Sequence, residues 1–329
     1  MPPSLVTAAW AAWRAANLPP VGTVTEYDLA AAVVKLGIRV PQQARTAETL
    51  GAEREGTGVI IDDAGLILTI GYLLLEAESI LVVASDGRVL PASVAGFDHA
   101  TGFGLVRTTQ PLNGPPLEFG DCAGARELNS AVIAAHPAAG GLSNASIVTR
   151  RAFTGWWEYA LDDAIFTAPA RDNHSGAALV DADGKLIGIG SLWVGDAVEA
   201  GAAFPGNMFV PTDLLQPILE DLKTYGRRRD PTRPWLGVYS EEVRGHVLVT
   251  QVLRDAPAAR GGVRRGDVIL AVDGQAVGSR SEFYRTLWAS GAAGAKLTLQ
   301  IWRNKSVREI VVDSIDRMEY LRPWRAFAH

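Results

Sequence analysis

Short apolar runs separated by turn residues fill the sequence from about residue 56 to residue 210. β-Branched and aliphatic residues dominate these runs, as in Leu66-Ile-Leu-Thr69 and Ile80-Leu-Val-Val83. Polar segments with glycine, such as Asp62-Asp-Ala-Gly65 and Ser85-Asp-Gly87, lie between them, and glycine supplies the positive φ that a tight hairpin turn needs. Many closely spaced short strands with such turns predict an all-β barrel or sandwich.

The pattern changes after residue 210. Residues 212–224 place leucine and isoleucine on one stripe at helical spacing, which predicts an amphipathic helix. A charged, proline-bearing segment from Arg227 to Pro234 then indicates a domain boundary. Beyond it, apolar runs alternate with helical segments, which predicts a small mixed unit. Its predicted strands cover residues 235–238, 247–252, 267–272, 297–302 and 307–312, and its predicted helices cover residues 256–262 and 281–290.

Composition narrows the functional classes. With 329 residues, the chain has the length of two or three domains. Charged residues make up only 20% of it and the net charge is -5, so no basic surface for nucleic acid is expected. The single cysteine, Cys122, cannot form an internal disulfide bond. Neither a metal nor an organic cofactor is expected, because the sequence has no Cys/His cluster at ligand spacing and no glycine-rich phosphate loop.

The N-terminal segment predicts a short alanine-rich helix over residues 4–17, with Trp10 and Trp13 on one face. This segment lacks the basic start and the long apolar run of a signal peptide. No stretch of the sequence approaches the ~20 apolar residues that a membrane-spanning helix needs. We therefore expect a cytoplasmic protein without a membrane span.

Residues 233–315 resemble a PDZ domain of the type found in HtrA (Deg) proteases. The resemblance rests on four segments in this order and spacing: Trp235-Leu-Gly-Val238, Asp255-Ala-Pro-Ala-Ala259, Gly262-Val-Arg-Arg-Gly-Asp-Val-Ile-Leu270 and Val272-Asp-Gly-Gln-Ala-Val277. It implies that a peptide's C-terminal carboxylate is received by the loop of Trp235, Leu236, Gly237 and Val238, and that the groove is faced by Phe283 and Leu287. Such a groove binds a peptide by strand addition to a sheet edge. The expected partner is thus a peptide or protein ligand, with a C-terminal peptide as the favoured case.

Residues 30–210 resemble the trypsin-like protease domain of the same family. Gly56-Thr-Gly-Val-Ile-Ile-Asp-Asp-Ala-Gly-Leu-Ile-Leu-Thr69 is similar to the strand pair that precedes the catalytic histidine, and Asp172-Asn-His-Ser-Gly-Ala-Ala-Leu-Val180 is similar to the nucleophile loop. The expected fold is mainly β, a chymotrypsin-like double β-barrel followed by a small α/β PDZ domain. The expected divisions are an N-terminal helical extension (1–24), the barrel domain (25–225), a linker (226–232), the PDZ domain (233–315) and a C-terminal tail (316–329).

The resemblance places the nucleophile at Ser175, the histidine position at Tyr72 and the aspartate position at Gly102. A serine hydroxyl is activated by an adjacent base that a third group orients. The phenol of tyrosine has an ordinary pKa of ~10, so it has almost no basic fraction at neutral pH. Glycine supplies no carboxylate. The expected consequence is a degenerate catalytic triad in a pseudoprotease-like protein.

The nucleophile loop differs from the family pattern in one more respect. The family has glycine two residues before the serine, whereas this chain has Asn173. Asparagine tolerates a positive φ better than most residues, so an oxyanion loop formed by Asn173 and Ser175 is still one of the alternatives. Among the histidines, His174 adjoins Ser175, but neighbouring side chains usually point apart. His99, three residues before Gly102, is the more favourable substitute base.

Three functions stay open on the sequence. The first is an HtrA-like pseudoprotease that binds peptides or partner proteins as an adaptor, a chaperone-like holder or an assembly factor. The second is an active serine endopeptidase with a non-standard dyad of Ser175 with His99 or Tyr72. The third is a structural subunit of a multi-protein complex. The family commonly forms trimers through N-terminal aromatic contacts, and Trp10 and Trp13 are candidates for that role in a homo-oligomer.

Overall fold

The computed structural model describes residues 26–321. The predicted N-terminal helix with Trp10 and Trp13, and the end of the predicted tail, lie outside the described residues. The chain divides into two compact units. Of the described residues, unit 1 contains 26–151 and Asp162–Arg228, and unit 2 contains Ala152–Leu161 and 229–321. Unit 2 is thus assembled from two separate stretches of chain.

Within the described residues, unit 1 is built on two closed barrels of six antiparallel strands each. The strands of the first barrel are β1 (Val33–Arg39), β2 (Glu53–Ile60), β3 (Leu66–Ile70), β4 (Ser79–Val83), β5 (Val89–Phe97) and β6 (Phe103–Thr108), closed in the order β1-β2-β3-β6-β5-β4. Those of the second are β7 (Ser130–Ala134), β8 (Leu142–Thr154), β9 (Ala160–Ala168), β10 (Ala178–Val180), β11 (Leu186–Val194) and β12 (Gly206–Pro211), closed in the order β10-β11-β12-β9-β8-β7. The predicted double barrel is confirmed.

Aliphatic side chains fill both barrels because successive strand residues alternate between the inside and the outside of a closed sheet. β3 and β12 are buried along their whole length, so other parts of the chain cover their outer faces as well. This burial explains why their sequences are continuous apolar runs and do not alternate with polar residues.

Short helices complete unit 1: α1 (Glu26–Ala31), α2 (Ala47–Leu50) and α3 (Leu219–Tyr225). The predicted helix over residues 212–224 is wrong in its first half, where the 3-10 turns Thr212–Leu214 and Gln216–Ile218 precede α3. Pro217 explains the difference, because proline has no N–H to donate and disfavours helical geometry in the preceding residue. The apolar stripe of this segment is nevertheless buried at Leu215, Ile218 and Leu222.

Unit 2 contains an antiparallel sheet flanked by short helices. Its strands are β13 (Val238–Val243), β14 (His246–Val252), β15 (Val268–Val272), β16 (Gln275–Ala276), β17 (Lys296–Arg303) and β18 (Ser306–Asp313), and its helices are α4 (Pro257–Gly261), α5 (Arg280–Ala289) and α6 (Arg317–Tyr320). The order is β13-β14-β15-β17-β18, with β16 paired to β15, so β13 lies at an edge. A capping box of Ser279 and Glu282 starts α5. The mixed unit expected after Pro234 is therefore present.

The segment after Ser175 is packed tightly between strands of unit 1. The N–H of Thr57 donates to the carbonyl of Ser175 at 2.9 Å, and the N–H of Gly176 donates to the carbonyl of Gly190 at 2.8 Å. Gly176 has a φ of +76°, and a Cβ at this position would clash with the carbonyl oxygen of Thr57 and the hydroxyl of Thr69. Glycine is needed here for both conformation and space, and it fixes the backbone that carries Ser175.

Gly176→Ala is expected to destabilise unit 1 more than the matched substitution Gly87→Ala. The two glycines have φ values of +76° and +84°, so both changes carry the ~1 kcal/mol penalty of a side chain in this conformation. A Cβ at Gly87 meets no atom within 4 Å, whereas the clash at Gly176 adds about 1–3 kcal/mol of overpacking. Thermal unfolding followed by circular dichroism should give the lower midpoint for Gly176→Ala. Equal midpoints would contradict the tight packing beside Ser175.

Candidate functional site

Tyr72 lies in the 3-10 turn Gly71–Leu74, directly after β3, and a buried arginine holds this turn. Arg54 Nη1 donates to the carbonyl of Tyr72 at 3.0 Å and to that of Leu75 at 2.8 Å. Burial lowers the pKa of Arg54 to about 10, and the nearby carboxylate of Glu76 opposes the shift. The guanidinium is therefore still charged at neutral pH and fixes the backbone that carries the phenol.

The structure brings Tyr72 and Ser175 together, although they lie 103 residues apart in the sequence. Tyr72 Oη is 2.8 Å from Ser175 Oγ and 3.0 Å from the carbonyl oxygen of Ser191. The phenol has a single proton to donate, and the carbonyl oxygen of Ser191 can only accept a hydrogen bond, whereas the hydroxyls of Tyr72 and Ser175 can each donate or accept. The side chain that contacts Ser175 Oγ is thus a phenol, where the serine mechanism has an imidazole base.

The electrostatics of this pair also oppose base chemistry. Desolvation raises the pKa of Tyr72 to about 12, and the hydrogen bond with Ser175 lowers it in part. At pH 7 the phenolate fraction is on the order of 10⁻⁵. Since a base acts in its deprotonated form, burial makes this phenol a weaker candidate than an exposed tyrosine.

Gly102, at the aspartate position of the resemblance, contributes only backbone atoms. Its carbonyl accepts the N–H of Gly71 at 2.7 Å, and its φ of +83° is strained for any residue with a Cβ. The buried carboxylate of Asp98 lies in the same loop, where it accepts hydrogen bonds from the N–H and hydroxyl of Thr101 and pairs with Arg228 at 3.1 Å. The loop therefore makes a close backbone contact at the start of the 3-10 turn, and its carboxylate is engaged elsewhere.

The histidines near the nucleophile loop contact other groups. His174 Nδ1 lies 2.9 Å from the carbonyl oxygen of Arg171 in its own loop, and burial lowers the pKa of His174. The ring of His99 packs edge-on against Phe97 with their centroids 4.4 Å apart. In the described part of the chain, the side chain that hydrogen-bonds to Ser175 Oγ is the phenol.

The positive φ that the sequence allowed at Asn173 is not seen. Asn173 lies in the 3-10 turn Asp172–His174 with φ -86° and ψ 26°, and the positive φ of this loop belongs to Gly176. The oxyanion loop expected from the sequence requires a positive φ at Asn173, and the structure has a negative φ there.

A second candidate site lies in unit 2, in the loop before β13. Gly237 has a φ of +78°, which turns the chain between Leu236 and Val238. Of the residues expected to face a peptide groove, Phe283 and Leu287 lie on α5 and are fully buried in the core of unit 2 together with Leu236 and Val238. The ring of Trp235 packs 4.8 Å from the ring of Tyr320 in α6.

The carboxylate of Glu158 occupies this loop. Its Oε1 accepts the N–H groups of Gly237 at 2.7 Å and Val238 at 3.1 Å, and its Oε2 accepts the N–H of Leu236 at 3.0 Å. Glu158 lies in the tip of the hairpin between β8 and β9, within the part of that hairpin that belongs to unit 2, and is buried. Three consecutive N–H groups converge on one anion, as in the backbone nests that bind anions.

Desolvation raises the pKa of Glu158 to about 7, against the lowering effects of the three N–H donors and of Arg317. Glu158 is not among the residues predicted from the sequence, because its contact with Gly237 spans 79 residues and the segment around it fits no strand or helix pattern. The signal that could have found it is a lone carboxylate between aromatic residues, Trp157 and Tyr159, where two strands meet.

Residues 26–321 contain no group of three or more His, Cys, Asp or Glu side chains arranged to hold a metal ion. No helix in this described range is long and apolar enough to cross a membrane. Cys122 is buried, and its thiol lies 3.1 Å from the carbonyl oxygen of Ile187.

Two protein families match separate stretches of the chain. Residues 56–189 match the trypsin-like peptidase domain, and residues 234–313 match the PDZ domain. The first match contains Tyr72, Gly102 and Ser175, and the second contains the loop around Gly237.

Curated relatives extend across both domains. The probable periplasmic serine endoprotease DegP-like of Pseudomonas fulva (strain 12-X) is 28% identical over 291 residues, which cover 83% of this chain and 59% of the relative. The periplasmic serine endoprotease DegP of Escherichia coli (strain K12) is 28% identical over 265 residues, which cover 76% of this chain and 54% of the relative. The chain thus spans little more than half the length of these relatives.

The names of these relatives contradict the cytoplasmic location expected from the N-terminal segment. Both proteins are named periplasmic, as is the DegP-like relative of Brucella suis. The cytoplasmic prediction is therefore wrong. It relied on the composition of one short segment, which carries less weight than the agreement among relatives that match most of the chain.

Solved structures show the same fold. The HtrA-type protease AlgW with decapeptide is 24% identical with a TM-score of 0.54, covering 91% of this chain and 99% of AlgW. The serine endoprotease from Yersinia pestis is 24% identical with a TM-score of 0.51, covering 89% of this chain and 98% of that protein. Two matching domains in the same order, a double barrel and a PDZ-like sheet lead to one conclusion: this chain contains a trypsin-like peptidase domain followed by a PDZ domain, and it is similar in sequence to the DegP-type serine endoproteases.

Proposed function

We propose that this HtrA-family protein binds peptides or partner proteins through its PDZ domain and does not hydrolyse them with Ser175. The observation that carries the proposal is the 2.8 Å contact between Ser175 Oγ and the phenol of Tyr72, whose raised pKa of about 12 keeps it protonated at neutral pH. A protonated phenol lies where the serine mechanism needs a base. The function that fits is that of an adaptor, a chaperone-like holder or an assembly factor.

The size of the catalytic loss supports this proposal. In the well-studied triads, changing a single member lowers the rate by ~10⁴-fold or more. Here the residue at the base position is a phenol with a pKa of about 12, and the residue at the orienting position, Gly102, has no side chain.

Peptide binding by the PDZ domain is supported by two features of unit 2. The N–H groups of residues 236–238 converge on a carboxylate, and β13 is the edge strand to which an extended peptide can pair. The similar AlgW structures are described with a decapeptide and with a tripeptide. A free C-terminal carboxylate is therefore the chemical group that we propose this protein recognises.

The names of the relatives favour a second function, serine endopeptidase activity at Ser175. It requires His99 or Tyr72 to take the serine's proton, and the raised pKa of the Tyr72 phenol opposes that role for Tyr72. We also propose a periplasmic location, as the relatives' names suggest. A homo-oligomer, such as a trimer held by Trp10 and Trp13, stays a prediction that sedimentation velocity can test.

The first test addresses Ser175. A fluorophosphonate probe is expected to leave Ser175 unlabelled, and casein cleavage by the wild-type chain is expected to equal that of Ser175→Ala, because no deprotonated base contacts the hydroxyl. Intact-protein mass spectrometry and gel electrophoresis measure the two outcomes, with an active DegP as the positive control. Labelling or cleavage that disappears in Ser175→Ala would establish the endopeptidase function.

The second test addresses the carboxylate. A fluorescein-labelled decapeptide with a free C-terminal carboxylate is expected to bind the full chain at least tenfold more tightly than the same peptide with a C-terminal amide. The physical reason is that hydrogen bonds to a charged acceptor contribute about 1.5–3 kcal/mol, more than those to a neutral one. Fluorescence anisotropy measures both affinities. Equal affinities for the two peptides would count against recognition of a terminal carboxylate.

A further inference from the structure

We propose that residues 154–158 are an internal ligand of the PDZ groove, in which the side-chain carboxylate of Glu158 takes the place of a peptide's terminal carboxylate. This inference rests on the proposed peptide-binding function, and it adds that the groove is self-occupied until a free peptide displaces the segment. All the residues involved belong to unit 2.

The register of the contacts is that of a bound peptide. The carboxylate of Glu158 lies in the loop of residues 236–238, and two residues earlier the carbonyl of Trp156 accepts the N–H of Ser240 at 2.9 Å. Ser240 lies in the edge strand β13. A peptide that adds to a sheet edge makes such main-chain bonds at alternate residues, with its terminus at the end of the strand. The segment thus supplies hydrogen-bond acceptors both to the loop of residues 236–238 and to the edge strand β13.

A side chain of α5 holds the other end of the segment. Arg280 Nη2 donates to the carbonyl of Thr154 at 2.8 Å, and Arg280 Nη1 donates to the carbonyl of Ser240 at 3.2 Å. The indole of Trp156 packs edge-on against Tyr239 of β13, with ring centroids 4.7 Å apart. The segment is therefore bound at its carboxylate, at its middle and at its start.

The segment is also preorganised by contacts among its own residues. The N–H of Gly155 donates to the carbonyl of Tyr159 at 2.9 Å and closes the turn. Trp157 stacks on Tyr159 at 5.7 Å between centroids, and a Cβ at Gly155 would press against the Trp157 ring at 3.0 Å. Because the turn is held by its own contacts, less conformational entropy is lost when it occupies the groove.

The titratable groups that face Glu158 belong to three elements of unit 2. Arg317 of α6 is the cation, and the phenols of Tyr239 in β13 and Tyr284 in α5 also interact with the carboxylate. Burial raises the pKa values of both phenols, so they are neutral at physiological pH. The carboxylate thus exchanges water for three N–H donors in the field of one guanidinium, and a terminal carboxylate in the loop would have the same surroundings.

The inference is tested by competition in the full chain. Glu158→Ala is expected to bind the free-carboxylate decapeptide at least tenfold more tightly than the wild type, which corresponds to about 1.4 kcal/mol. The matched control is Glu309→Ala, which removes an exposed glutamate from β18 at the opposite edge of the sheet and should leave the affinity unchanged. Fluorescence anisotropy gives the affinities, and the thermal midpoint reports whether each variant is folded.

Each result decides between the alternatives. An affinity in Glu158→Ala equal to or weaker than that of the wild type overturns the internal ligand. If neither protein prefers the carboxylate peptide to its amide, the proposed peptide binding fails instead. Docking can then be assessed without any peptide, since the amide protons of residues 236–238 should shift together in Glu158→Gln, measured by nuclear magnetic resonance. Unshifted amides would show that the carboxylate does not occupy the loop.

The pH dependence gives an independent measurement. Docking raises the pKa of Glu158 from its ordinary value of 4.5 to about 7, so the docked state holds its proton more tightly than the released state. Docking is therefore strongest below pH 4.5 and weakens as the pH rises to about 7. The peptide carboxylate enters the same loop in both proteins, so the ratio of the Glu158→Ala affinity to the wild-type affinity isolates the competing side chain, and this ratio should fall between pH 5.5 and pH 8. Parallel pH profiles of the two proteins would count against the proposal.

Discussion

An ionisable side chain removed from water is stable only where hydrogen bonds or opposite charges replace its lost solvation. This constraint governs the parts of the molecule that bear on function. Arg54 donates hydrogen bonds to backbone carbonyls of the turn that carries Tyr72, and Asp98 is paired with Thr101 and Arg228. Glu158 accepts hydrogen bonds from three backbone N–H groups. Tyr72 avoids a buried charge because its phenol stays protonated. The positions of both candidate sites follow from how these four groups are satisfied.

The same constraint gives the two sites opposite characters. In unit 1, the hydroxyl of Ser175 is hydrogen-bonded to a phenol whose pKa is raised to about 12. In unit 2, a loop of N–H donors already holds an anion. Both features are consistent with the proposed role of a protein that holds ligands and does not hydrolyse them.

Much of the fold could be predicted from the sequence, because local signals specify it. Turn glycines and short apolar runs mark the strands of both barrels, and the ordered segments from Trp235 to Val277 mark the second domain. The proximity of Tyr72 and Ser175 followed from the family resemblance. The partners of Glu158 could not be predicted, since they are backbone N–H groups, which leave no trace in side-chain patterns. The φ of Asn173 also escaped, because the 3-10 turn around it depends on the packing of the whole loop.

The hairpin that carries Glu158 is part of the same chain as the loop that it fills. A free peptide meets the groove at its own concentration in solution, whereas a tethered segment acts at an effective concentration that is commonly in the millimolar range. In the proposed self-occupied state, a hairpin with the same intrinsic affinity as a free peptide would therefore exclude that peptide at micromolar levels. The tether would then set a concentration threshold for the groove, so that ligand abundance as well as ligand sequence would decide when the groove is used.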